Sequence, residues 1–235
     1  MPVKSVPRLI QLLYRPIAMA VLAGPAAAHT ALPESDLKYI LSARITSEYV
    51  VNGISQSGGK PSFQPFFEMD WRGLYGGVAI SYVRLLTDRT EFDLYIGHRR
   101  RLANDIFFDL SYRRFLLNSS GNCCGEAKAR VIFPVGERIG AELLLAYNHN
   151  LDNFNHRARA LWDVTDRLDL FGSLGETSLN DNQYWNVGAT YSLPRRLAVS
   201  LRYEGAETGD PGFIVSLGWS TINSDIARLF IDPFQ

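Results

Sequence analysis

A chain of 235 residues is long enough for one sizeable all-β domain, and its length does not call for a second. Hydrophobic residues make up 46% and aromatics 12%, yet mean hydropathy is −0.06, so apolar residues are dispersed finely; beyond residue 30 no run reaches the roughly 18 apolar residues a membrane helix needs. With 24 basic and 24 acidic residues the formal charge is zero, which excludes the one-sided basic face of a nucleic-acid binder.

Residues 1–28 read as an export signal. Lys4, Arg8 and Arg15 form a basic region without an acid, Ile17 to Ala23 is apolar, and Gly24-Pro25 precedes Ala26-Ala27-Ala28, which places cleavage after Ala28. Removing these three cations leaves 21 basic against 24 acidic residues, a mildly acidic exported chain. A periplasmic segment, 29–38, is expected next, then a barrel over 39–221 and a tail over 222–235.

From residue 39 the pattern has period two. Leu41, Ala43, Ile45, Tyr49 and Val51 alternate with Ser42, Arg44, Thr46, Glu48 and Asn52. Phe63, Phe67, Met69 and Trp71 alternate with Gln64, Glu68 and Asp70, and Phe66 interrupts the polar side. Phe92, Leu94 and Ile96 oppose Glu91, Asp93 and Tyr95. Ala127 to Phe133 alternates with Lys128 and Arg130, and Phe154 to Trp162 alternates with Arg157 and Arg159. The same alternation runs through 185–193, 197–204 and 213–220. No 3.6-residue pattern of comparable length competes. Twelve antiparallel strands are predicted, starting near 39, 62, 74, 90, 106, 126, 139, 154, 168, 183, 197 and 212. The Gly-rich third and ninth leave ten as the other possibility.

Short connections (72–73, 101–105, 134–138, 165–167, 194–196) broadly alternate with longer polar ones (55–61, 117–125, 175–182, 205–211). That alternation suits an up-and-down transmembrane β-barrel with both termini on the periplasmic, short-turn side. Period two alone fits a soluble sandwich equally well, its apolar faces turned inward. The membrane reading is favoured because the apolar face is nearly free of charge. In addition, Tyr49, Trp71, Tyr75, Trp162, Tyr191, Tyr203 and Trp219 fall near strand ends, where interfacial girdles lie.

The stretch Ser47-Glu48-Tyr49-Val50-Val51-Asn52-Gly53-Ile54-Ser55-Gln56, followed by Lys60-Pro61, resembles the opening signature of the TorF porin family. Gly73-Leu74-Tyr75-Gly76-Gly77 and Glu91-Phe92-Asp93-Leu94-Tyr95-Ile96-Gly97 are similar to two further strands of that family. The resemblance covers about 43–116. Asn52 stands where the family usually carries arginine, so no role of that arginine is carried over. A terminal aromatic usually closes the last strand of such barrels, whereas here some fifteen residues follow Trp219 and end in Phe234-Gln235; this leaves C-terminal recognition by the barrel-assembly machinery in question, unless 226–230 joins the last strand. The resemblance implies an outer-membrane barrel with a channel role.

The residues expected to line the lumen are Arg44, Glu48, Glu68, Asp70, Glu91, Asp93, Asp109, Arg113, Lys128, Arg130, Glu142, Arg157, Arg159 and Arg202. Acidic side chains on the second and fourth strands would oppose basic ones on the sixth and eighth. Such a transverse field would select small polar or zwitterionic solutes. The alternative is a barrel plugged by its own ion pairs. A lipid-modifying enzyme is the weaker possibility: of His29, His98, His149 and His156, only His149 and His156 flank an expected outer loop, His98 falls at the periplasmic end of its strand, and Ser173 or Ser178 could approach as nucleophile without a supporting motif. Cys123-Cys124 sits in a segment expected to be an outer loop. Adjacent cysteines rarely bond to each other, and a strained disulfide, a soft-metal contact, a bond to another chain and idle thiols all stay open. No metal or cofactor is expected. The expected partners are outer-membrane lipid and small solutes, and no patch separable from the lipid-facing belt identifies an oligomer contact.

Overall fold

The computed structural model describes residues 37–221. Within them the chain forms β1 (Leu37–Thr46), β2 (Val50–Val51), β3 (Ile54–Ser55), β4 (Ser62–Trp71), β5 (Leu74–Leu85), β6 (Asp88–Arg101), β7 (Phe107–Leu117), β8 (Gly121–Pro134), β9 (Ile139–Asn148), β10 (Asn153–Asp163), β11 (Leu168–Thr177), β12 (Asn182–Leu193), β13 (Leu197–Ala206) and β14 (Gly212–Ser220). All but β2 and β3 belong to one closed antiparallel barrel of twelve strands, each paired with its neighbours in the sequence and β14 paired with β1. The Gly-rich third and ninth barrel strands, β5 and β11, are both present. Ser42 to Thr46 face Ser220 to Ser216 at the closing seam. There Leu41 exchanges two further bonds with Thr221, its N–H to the Oγ1 and its carbonyl to the N–H.

Closure decides which way the alternating faces look. The apolar face of the sheet is outward: Leu41, Ile45, Leu94, Leu143, Leu145, Leu174, Val187, Val215 and Leu217 are all exposed. A continuous apolar surface of that kind on a monomer belongs in hydrocarbon. Outward aromatic rings gather near both rims. Tyr39, Trp162, Tyr191 and Trp219 lie towards the rim that carries the chain ends, here the terminal rim. Near the opposite rim Tyr147 stacks on Phe154 at 4.4 Å and Tyr203 meets Phe213 at 4.7 Å. Tyr49 and Tyr75, expected in these girdles, are instead buried inside the barrel.

The expected alternation of short and long connections does not describe the structure. Ladders run on through segments read as loops, because polar residues inside a barrel continue the sheet as readily as apolar ones outside it. Thus β8 begins at Gly121, and 118–120 are all that joins it to β7. One long connection remains, 47–61, at the rim opposite the chain ends, and it carries β2 and β3. β1 starts at Leu37, so residues 37 and 38, expected to precede the barrel, are strand. The expected signal segment 1–28, the tail 222–235 and any strand contribution from 226–230 lie outside the described residues.

Inward tyrosines are seated by glycine. Tyr75 lies opposite Gly97, Tyr95 opposite Gly77 and Tyr184 opposite Gly175. In each pair a Cβ on the glycine would run into the phenol ring. Replacing Gly97 by valine should therefore force Tyr75 off its Asp109 acceptor. The expected cost is about 1–3 kcal/mol of overpacking, read as earlier urea unfolding of the barrel in micelles.

Candidate functional site

A barrel of twelve strands spaced ~4.8 Å apart and tilted ~40° is roughly 20–25 Å across its backbone, wider than wall side chains alone fill. Two features occupy the space: a ladder of ion pairs on the wall, and the hairpin of the 47–61 connection.

The ladder starts at the terminal rim. Arg99 of β6 donates to Asp70 at 2.9 Å and also pairs with Glu68, both on β4. Its guanidinium lies 3.8 Å from the centre of the Tyr75 ring. Tyr75 donates its hydroxyl to Asp109 of β7 at 2.6 Å, and Arg130 of β8 donates to the other Asp109 oxygen at 3.0 Å. One network thus joins five adjacent strands. Higher in the barrel Arg113 pairs with Asp93 at 3.2 Å and Lys128 with Glu126 at 3.3 Å. On the far wall Arg157 pairs with Glu142 at 2.9 Å and Arg202 with Glu204 at 2.6 Å. Arg44 donates to Gln64 at 2.7 Å. Arg159 lies 5.7 Å from the centre of the Phe171 ring. Glu91 is half-buried on the same face of β6 as Asp93.

Thirteen of the fourteen expected lining residues therefore lie on the inner wall, but opposed acidic and basic walls are not what they form. Most of the cations are matched by an acid on their own strand or one or two strands away, because a charge facing a low-dielectric wall is least costly when its partner is within reach. Glu48 is on the long connection, where it accepts the Gly59 N–H at 3.2 Å. Arg99, Glu126 and Glu204 were missed. Arg99 was hidden in the run Arg99-Arg100-Arg101, although period two counted onward from Asp93, Tyr95 and Gly97 reaches it.

The hairpin was missed as well. β1 was expected to continue to Val51, but it ends at Thr46 and the chain turns into the mouth of the barrel. Val50 pairs with Ser55 and Val51 with Ile54 around Asn52-Gly53, whose φ values of 52° and 76° are those of the tight turn that Asn-Gly favours. The base of the hairpin sits on an apolar patch inside the barrel: Tyr49 and Val51 pack with Ile40, Phe66, Ala79 and Val83. Phe66 interrupts the polar face of β4 at this place. Burying such side chains contributes about 1.5–3 kcal/mol each. The base is also fixed by the Arg84 N–H, which leaves the β5–β6 ladder at a register shift and donates to the Gln56 carbonyl at 2.7 Å.

The tip reaches across the mouth. Asn182 of β12 donates to the Asn52 carbonyl at 2.8 Å, and Asn155 of β10 donates to the Asn52 side chain at 3.3 Å. Gly53 lies so close to Ala206 of β13 and Tyr184 of β12 that a Cβ would collide with the Ala206 methyl. The tip thus touches β13, β12 and β10, two, three and five strands round the ring from β1. The bonds at its tip contribute about 1 kcal/mol each, less than the packing at its base.

The cysteines are bonded to each other, and they lie within β8 rather than in a loop. Phe115 pairs with Cys124 and Leu116 with Asn122, so Cys123 is the extra residue of a bulge. The candidate enzyme residues are dispersed. Ser173 is buried on the inner wall, Ser178 is bonded to Asn153 and the Phe154 N–H, and His156 lies outside beside Glu176. His149 stacks on Tyr112, and His98 is exposed towards the terminal rim.

Residues 30–156, more than half of the chain, match the family described as "Bacterial protein of unknown function (Gcw_chp)", and the chain belongs to that family. No curated protein matches the sequence. Among solved structures the KdgM porin aligns over 77% of this chain and 98% of its own, with a TM-score of 0.61 at 8% identity. The NanC porin covers 78% and 100% (TM-score 0.54, 7% identity), and an outer-membrane channel from Pseudomonas putida F1 covers 81% and 99% (TM-score 0.52, 10% identity). The fold is therefore the closed twelve-strand antiparallel barrel that these bacterial outer-membrane proteins share.

Arg99 is the point at which the wall network is most exposed to damage. Arg99→Met leaves Glu68 buried without its cation and should destabilise the barrel by about 3–5 kcal/mol in urea unfolding. Arg101→Gln removes a pair that is 66% and 75% exposed and should change stability by less than about 1 kcal/mol.

Proposed function

We propose that this protein is a porin-like channel of the outer membrane, passing small polar or zwitterionic solutes along its charged inner wall. One observation carries the reading: the cations of β7 and β8 keep part of their surface accessible inside the barrel. Arg113, Lys128 and Arg130 are 14%, 18% and 15% exposed, although each is paired with an acid. Paired but accessible charges of both signs offer a dipolar solute successive partners without holding it on one strong site. The resemblance of 43–116 to the TorF porin family supports the reading. So does the similarity to the KdgM porin, a protein also described in complex with disordered oligogalacturonate. In this reading the hairpin rim faces outwards and the terminal rim faces the periplasm.

A barrel closed by its own hairpin is the second reading, and the tip bonds to Asn155 and Asn182 favour it. Planar-bilayer recording separates the two. The channel reading expects stepwise currents from purified, heat-modifiable protein, with Arg113→Glu and Lys128→Glu together moving the reversal potential towards cation preference. Bilayers that stay silent across many reconstitutions of folded protein would leave the plugged barrel standing.

A further inference from the structure

The hairpin does not cover the lumen evenly. Its tip rests on Asn155 of β10, Tyr184 of β12 and Ala206 of β13. Two residues deeper on the inner face of these strands are Arg157, Asn186 and Glu204. Those are the sealed positions: Arg157 and Glu142 keep 3% and 4% exposure, Arg202 and Glu204 9% and 8%, and Asn186 is buried. Away from the tip, Arg113, Lys128, Glu126 and Arg130 keep 14%, 18%, 19% and 15% exposure, while the acids Asp93 and Asp109 beneath them keep 1% and 6%. The fixings also differ at the two ends. The base is held by the apolar patch of Ile40, Phe66, Ala79 and Val83, while the tip is held by two amides and a close fit of glycine against methyl.

We propose that the 47–61 hairpin is a strap that divides the lumen, sealing the β9–β13 side under its tip and confining solutes to the β6–β8 side, where Arg113, Glu126, Lys128 and Arg130 do the selecting. The proposal rests on the channel reading for its solutes but not for its geometry. The base acts as the hinge and the tip as the releasable end. Opening the tip hydrates a second set of charges, Arg157 with Glu142 and Arg202 with Glu204, and widens the path.

Accessibility of a thiol at Asn186 tests this. The native cysteines are bonded to each other and do not react, so Asn186→Cys supplies the one free thiol among the described residues for a water-soluble maleimide. With the strap intact, labelling is expected to be slow. Adding Asn182→Ala or Asn155→Ala should accelerate it about fivefold each, the effect of losing the one hydrogen bond each makes to the hairpin on the latched population; Asn182 also accepts from Thr208 and Asn155 from Tyr184. Gly53→Leu, which pries the tip from Ala206 without touching either amide, should accelerate it too. Heat-modifiability confirms that each variant is folded. Equal labelling rates in all four proteins would overturn the strap. In parallel bilayer recordings, released variants are expected to show larger unit conductance. If labelling accelerates while every variant remains silent, the strap stands and the channel reading fails.

Discussion

In hydrocarbon no water answers an exposed N–H or C=O, so a sheet that crosses a membrane must have no free edge. The pairing of Ser42–Thr46 with Ser216–Ser220 meets that requirement. Once the sheet is closed, each strand has an outside and an inside by geometry alone, and period-two alternation becomes a division between lipid and lumen. The local pairing of charges follows from the same closure. An inward Arg or Glu cannot turn to bulk solvent as it could on an open sheet, so Arg113, Arg130 and Arg157 each find an acid on a neighbouring strand, and Arg99 reaches across β5 to the acids of β4.

The second consequence is a problem of volume. Twelve strands enclose more space than side chains reach across, and the barrel fills part of it with its own first connection. This explains residues that break the polar inner pattern. Ile40, Phe66, Ala79 and Val83 are apolar and face inward because Tyr49 and Val51 lie on them. An apolar patch inside a lumen would otherwise meet water for no gain. Here it is the seat of a hairpin, and the sheet spends two ladder positions, Val83 and Arg84, to bind it.

The barrel was legible in the sequence because its alternation repeats in every strand: all twelve starts lie within five residues of those expected, and the widest gap, at β8, arises where Gly121-Asn122-Cys123-Cys124 reads as a loop. What could not be read is what depends on the enclosed space. Tyr49 and Tyr75 have the right spacing for interfacial girdles, and nothing local tells a ring directed at headgroups from one directed into a lumen. The Asn52-Gly53 dipeptide is a strong hairpin signal, but the run of alternation from Leu41 to Val51 masked it. The Cys123–Cys124 bond requires a bulge, and a bulge is set by the register against β7, not by the neighbouring residues.

The segments that carry the family resemblance acquire a common meaning from the packing. Ser47 to Pro61 forms the hairpin, while Gly77, Tyr95 and Gly97 supply the cross-strand seats in which tyrosine rings lie over glycine. Glu91 and Asp93 stand on the same face as Tyr95, within electrostatic reach of Tyr49 at the hairpin base. These positions are crowded for one reason: the interior must hold a hairpin, tyrosine rings and paired charges within one bore. On the outside any apolar residue of suitable size will meet lipid, and many sequences would serve. Inside, a methyl at Gly97 or a shortened side chain at Asn182 changes what fits. The residues that most constrain this barrel are therefore those of its lumen, although the hydrophobic belt is what makes it a membrane protein.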